Sequence, residues 1–111
     1  MAEARIKAGM WVSAALRLAF NEGRGGAVLR RGDPDAGGIL LVLRGEAGLS
    51  VLTQVTAADG EHAWMRATGP APTPQEAADA YVDRQVGRDP DLWVVELDAP
   101  DYLPPFAGRV L

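Results

Sequence analysis

Two hydrophobic periods run along this chain. Ile6, Ala8, Met10 and Val12 alternate with Arg5, Lys7, Gly9 and Trp11. That period of two predicts a strand over 5–12. A helix from Met10 onward is the competing reading, because the apolar density there suits either. Ser13 stands where an N-cap belongs, ahead of Ala14–Phe20, in which Ala15, Leu16, Ala19 and Phe20 share one helical face. The NEGRGG segment, 21–26, ends that helix, since glycine accepts left-handed C-terminal geometry. Residues 27–31 predict a second strand, and Gly32-Asp33-Pro34-Asp35-Ala36-Gly37-Gly38 is a loop.

Residues 39–43 are five apolar positions in a row, the pattern of a central strand buried on both faces. A hairpin turn at 45–48 leads to alternation over 49–56, an Asp59-Gly60 turn, and a return strand over 62–68. On that strand His62, Trp64 and Arg66 point one way, and Ala63, Met65 and Ala67 the other. Thr73-Pro74-Gln75-Glu76 has the form of a capping box and opens a helix to Val86, closed by Gly87. A last strand covers 92–98. Residues 99–111 carry three prolines and predict an irregular tail, with Tyr102, Leu103 and Phe106 packing it down. The expected order is β-α-β-β-β-β-α-β. This is one α+β domain over 1–111, with a folded core over 5–98, a mostly antiparallel sheet, and both helices on one face.

Composition narrows the function. The 111 residues are 48% hydrophobic and 23% charged, a soluble globular profile with no apolar run long enough to span a membrane. A net charge of -4 disfavours broad nucleic-acid binding and anionic membrane surfaces. There is no cysteine, which excludes disulfides, thiol catalysis and zinc ribbons. The single histidine, His62, excludes a His-rich metal site within one chain. No apolar leader with a cleavage site is legible, so the cytoplasm is the expected compartment.

The motifs Trp11-Val12-Ser13-Ala14, Leu29-Arg30-Arg31-Gly32-Asp33-Pro34-Asp35-Ala36-Gly37, Trp64-Met65-Arg66 and Arg84-Gln85 with Asp89-Pro90-Asp91-Leu92-Trp93-Val94-Val95-Glu96 together resemble a small alphaproteobacterial domain-of-unknown-function family. The resemblance spans roughly residues 5 to 98. It implies a bacterial cytosolic protein and assigns no chemistry.

Three constellations stand out. Asp33 and Asp35 in their Gly-rich loop have the oxygen ligands for a hard cation, or the loop amides for an anion, but Asp-Pro-Asp also makes ordinary turns. Asp89-Pro90-Asp91 repeats that chemistry. The His62, Trp64 and Arg66 row suits either a small-ligand site or a covered patch, closed by the tail or by a second subunit. Arg84 with Asp89 and Asp91 reads as an end-of-helix ion pair, while Glu96 is a candidate partner for Arg66 or Arg84.

No assembled catalytic set is present and no cofactor is implied. The leading reading is a non-enzymatic module that forms a homodimer or binds a protein partner, with neither nucleic acid nor membrane as a target. Its expected interface is Trp11, Trp64, Tyr102 and Phe106. The alternatives are an anion- or nucleotide-binding protein using Arg30, Arg31, His62, Trp64, Arg66 and Arg84, and a metal-dependent hydrolase using Asp33 and Asp35.

Overall fold

The computed structural model describes residues 7–106 and 108–111. The elements are α1 (Ala8–Asn21), β1 (Gly26–Arg30), β2 (Ile39–Gly45), β3 (Gly48–Thr56), β4 (His62–Arg66), α2 (Gln75–Arg88) and β5 (Trp93–Asp98). They form one α+β domain around a five-stranded sheet of order β1-β5-β2-β3-β4. Only the β2–β5 pair is parallel; the other three are antiparallel.

β2 is the middle strand, as its apolar run requires. Its alternate residues feed two cores. Ile39, Leu41 and Leu43 join Trp93, Val95 and Leu97 under α1, while Leu40 and Val42 join Val51 and Val94 under α2. The helices therefore lie on opposite faces, which corrects the expectation of one face. The physical reason is the doubly buried run itself. A strand apolar on both sides needs cover on both sides.

The second correction is at the start. Ala8–Val12, expected as strand, are the first turns of α1. The remainder of that expected strand, before Lys7, lies outside the described residues. Ala8, Val12, Ala15 and Ala19 are buried at helical spacing, and three alanines let α1 sit close on the sheet. Ala8 and Val12 satisfy both periods, and only Met10, which is exposed, separates the strand reading from the helical one. Ser13 is consequently exposed inside the helix rather than capping it. In α2 the N-cap is Pro74, without a side-chain capping bond. Thr73 instead pairs with Leu49 in a β-bridge, its N–H donating to the Leu49 carbonyl at 2.7 Å.

The tail closes the β4 edge. The Trp64 N–H donates to the Arg109 carbonyl at 2.8 Å, the Leu111 N–H donates to the Trp64 carbonyl at 2.7 Å, and Val110 bridges Trp64 in parallel. Tyr102 anchors the crossing with φ of 55°, an unusual conformation for a side chain with a Cβ. Its hydroxyl accepts from the Ala47 N–H and donates to the Gly48 carbonyl, so the β2–β3 hairpin holds it in place. A Cβ on Gly45 would lie 2.5 Å from the Tyr102 ring, so only glycine lets that ring lie on the hairpin.

Candidate functional site

The residues singled out for chemistry are mostly engaged in holding the fold. The β3–β4 register places His62, Trp64 and Arg66 on the α1 face, opposite Thr56, Gln54 and Leu52. There the row divides. Trp64 is 6% exposed and packs against Trp11 and Phe106, at ring-centroid distances of 5.6 and 6.0 Å. Trp11 meets Phe106 edge-on at 5.0 Å. Arg66 donates to the Ser50 hydroxyl at 3.2 Å and to the Tyr102 carbonyl at 2.8 Å, so it pins the tail. His62 is exposed at the start of the strand. The cover for Trp64 thus comes from the chain's own tail.

The two Asp-Pro-Asp turns do meet, through backbone rather than carboxylates. The Asp33 N–H donates to the Asp91 carbonyl at 2.9 Å, and the Trp93 indole N–H donates to the Asp33 carbonyl at 2.8 Å. The Asp33 carboxylate turns back to accept from the Ala36 and Asp35 amides, which hold it below its ordinary pKa. Asp89 accepts from the Asp91 amide in the same manner. Among the described residues no three acidic or histidine side chains converge on a metal-sized space.

The arginines are dispersed. Arg30 donates to the Pro90 carbonyl at 3.0 Å, Arg31 lies 5.4 Å over the Trp93 ring, and Arg84 sits 6.0 Å from the Tyr81 ring. Glu96 pairs with Arg44 at 2.8 Å rather than with the candidates Arg66 or Arg84, because β5 lies next to β2.

One ion pair fastens the tail to the β3–β4 turn. Arg109 grips Asp59 through two nitrogens, at 2.9 and 3.1 Å, and with the Glu61 amide this brings Asp59 down to about 2. A depressed carboxylate contributes stability above its unfolded pKa and loses it as pH falls through the folded value. The clip is therefore complete above about pH 4, and it opens on acidification toward pH 2. Carbon-13 titration of the Asp59 carboxyl checks this, with a midpoint near the unperturbed aspartate value counting against the clip. The pair is exposed, so high salt weakens the depression.

The opposite edge of the sheet is β1. Among the described residues nothing pairs with the outer side of β1. The Asp98 N–H donates to the Gly25 carbonyl at 2.9 Å, and the Gly26↔Leu97, Ala27↔Glu96, Val28↔Val95 register continues from there. Antiparallel alternation then turns the N–H and C=O of Gly26 and Val28 outward. Beyond Val28 the register shifts at a bulge. Beside this edge, between α1 and β1, runs a groove of about 500 Å³ lined by Met10, Ser13, Leu16, Val28 and Trp93, with Lys7 and Arg31 also on its lining. Met10 is 65% exposed and Val28 37%. Sequence reasoning singled out Arg31 and Asp35 on its lining but missed the groove. Met10, Leu16 and Val28 read as ordinary helix and strand positions, and β1 becomes an edge only through β5 pairing on its other side.

The fold and this edge define a class: a small α+β domain with one sheet edge closed by its own tail and the other, among the described residues, unpaired. The chain belongs to the DUF1491 family, described as protein of unknown function, whose model matches residues 6–107. It is similar to the crystal structure of a DUF1491 family protein from Caulobacter crescentus CB15 at 32% identity and a TM-score of 0.85, covering 96% of this chain and 100% of that one. An NMR structure of a DUF1491 family protein from the same organism gives 29% identity, a TM-score of 0.83, and coverage of 98% and 99%. The solution structure of Atu0922 from A. tumefaciens gives 25% identity, a TM-score of 0.78, and coverage of 93% of each chain. No curated protein matches. None of the described helices is long and apolar enough to cross a membrane.

Proposed function

We propose that this protein is a non-enzymatic interaction module that docks an extended strand along β1. The observation that carries this reading is the outward-facing backbone of Gly26 and Val28 beside the apolar flank of α1. A strand edge next to a helix flank offers both parts of strand-addition recognition: main-chain hydrogen bonds for affinity and a groove for alternate side chains. Open edges are usually blunted. Here the tail covers β4 at Trp64, whereas no described residue covers β1, so the two edges are treated differently. The incoming strand belongs either to a second copy, giving the homodimer, or to another protein. The absence of cysteine suits a reducing compartment such as the cytoplasm.

Native mass spectrometry and amide hydrogen exchange of the purified chain, wild type against Val28→Pro, test this. Proline at 28 removes an outward N–H and spares the ladder to β5. A docked strand adds mass and slows exchange at Gly26 and Val28. Val28→Pro loses the added mass while its melting curve stays close to wild type. A bare monomer with fast exchange at both amides, in the presence of cell extract as well as alone, counts against the reading.

A further inference from the structure

The α1–β1 unit carries a charge opposite to that of the rest of the molecule. Residues 7–31 hold Lys7, Arg17, Arg24, Arg30 and Arg31 against Glu22 alone, whereas residues 32–111 hold five basic and thirteen acidic side chains. A protein of net charge -4 thus presents its open edge on its cationic part. Arg17, Arg30 and Arg31 are exposed there, and Arg31 and Lys7 line the groove itself, against one carboxylate, Asp35, on its described lining. Arg24 and Lys7 have acidic neighbours, Glu22 at 3.3 Å and Asp35 at 3.6 Å. Arg17, Arg30 and Arg31 have no carboxylate partner among the described residues.

Resting on the strand-docking reading, we infer that the occupant of the β1 edge is an acidic, extended segment of another protein, with apolar residues at alternate positions. The alternation follows from geometry. Side chains on one face of the added strand enter the groove over Val28 and Leu16, and a period of two places the intervening residues on the other face or at the rim. The charge follows from complementarity. Acidic residues approach Arg17, Arg30 and Arg31, which steers encounter and rejects basic strands. A second copy brings the same cations to face themselves across a twofold axis, an arrangement that like charges disfavour. The four outward groups of Gly26 and Val28 accept either strand direction, and the bulge after Val28 ends the ladder.

The probe is a labelled hexapeptide alternating aspartate with valine or leucine, compared with its counterpart carrying lysine for aspartate. Fluorescence polarisation with the full chain is expected to favour the acidic probe by roughly tenfold or more, with the preference shrinking as salt rises. Nitrogen-15 spectra should shift at Gly26, Val28, Met10 and Ser13. The double variant Arg17→Glu, Arg31→Glu should exchange the preference, so that the lysine probe binds better. A variant that merely fails to fold cannot produce that reversal. Val28→Pro should weaken both probes.

Equal binding of the two probes, or shifts mapping elsewhere, overturns the inference. So does tighter binding of a duplex oligonucleotide to the same residues, which makes the cationic face a phosphate reader. Protection of Gly26 and Val28 in a dimer of bare chains overturns the inference and leaves the docking reading standing. Protection of those amides in a bare monomer means the edge is closed within the chain, and both fall.

Discussion

Trp64→Ala is expected to destabilise the protein by about 3–5 kcal/mol and to free the tail. The side chain is buried, and it is the surface on which two separate segments converge: Trp11 from α1 and Phe106 from the tail. Truncation removes apolar contact from both and leaves a cavity that α1 cannot close, because α1 is held on the sheet by Val12, Ala15 and Ala19. The backbone bonds to Arg109 and Leu111 then rest on polar contacts of the tail, Asp59–Arg109, the Arg66 clasp on Tyr102 and the Tyr102 hydroxyl on the hairpin among them, without an apolar anchor at Trp64. Thermal unfolding by circular dichroism should show a fall on the order of 10–25 °C, and limited proteolysis should cut first after residue 99. A loss below about 1 kcal/mol would mean that the aromatic cluster is not formed in solution. The β1 edge lies at the far side of the sheet, so docking at Gly26 and Val28 should survive in whatever fraction remains folded.

Gly32→Ala is expected to have an effect of similar size, by crowding rather than by a cavity. A Cβ there would overlap the Asp91 carbonyl oxygen and lie 2.6 Å from Trp93 Cδ1 and 2.7 Å from the Leu92 carbonyl carbon. Two of the three neighbours are backbone, so neither can swing aside. The loop must lift from β5, and it takes with it the Asp33 amide bond to Asp91 and the Trp93 indole bond to Asp33. Overpacking of this kind costs about 1–3 kcal/mol, and the two severed hydrogen bonds add about 1 kcal/mol each. Pro34 and Trp93 line the groove, so this variant should also lose binding at the β1 edge. Chemical denaturation checks the stability, and the proton and nitrogen-15 shifts of the Trp93 indole N–H report the lost bond. An unchanged indole signal would show that the loop accommodates the methyl group in place.

Much of the fold was legible in the residues. Five consecutive apolar positions made β2 central. Asp59-Gly60 marked the β3–β4 turn, and both Asp-Pro-Asp segments marked turns whose carboxylates bind their own amides. That Trp64 needs shelter was legible, but whether the tail or a second subunit gives it was not; the structure places Phe106 against it. The candidate sites fared differently. Arg66 reads in sequence as a ligand-binding cation, and its actual partners, Ser50 and the Tyr102 carbonyl, are 16 and 36 residues away. Glu96 is likewise assigned to Arg44 only by the β2–β5 pairing, across 52 residues.

Sequence by itself determined the α+β class, the strand and turn segments beyond residue 21, and the apolar faces. All of these rest on periods of two or 3.6 residues and on local turn chemistry, which act over a few positions at a time. Tertiary structure alone decided that 8–12 are helical, that the helices take opposite faces, and that β5 inserts between β1 and β2. That insertion leaves β1 outermost with a cationic, half-apolar edge. Strand order is settled by side-chain packing summed over distant segments, and no local pattern records which strand will end without a neighbour.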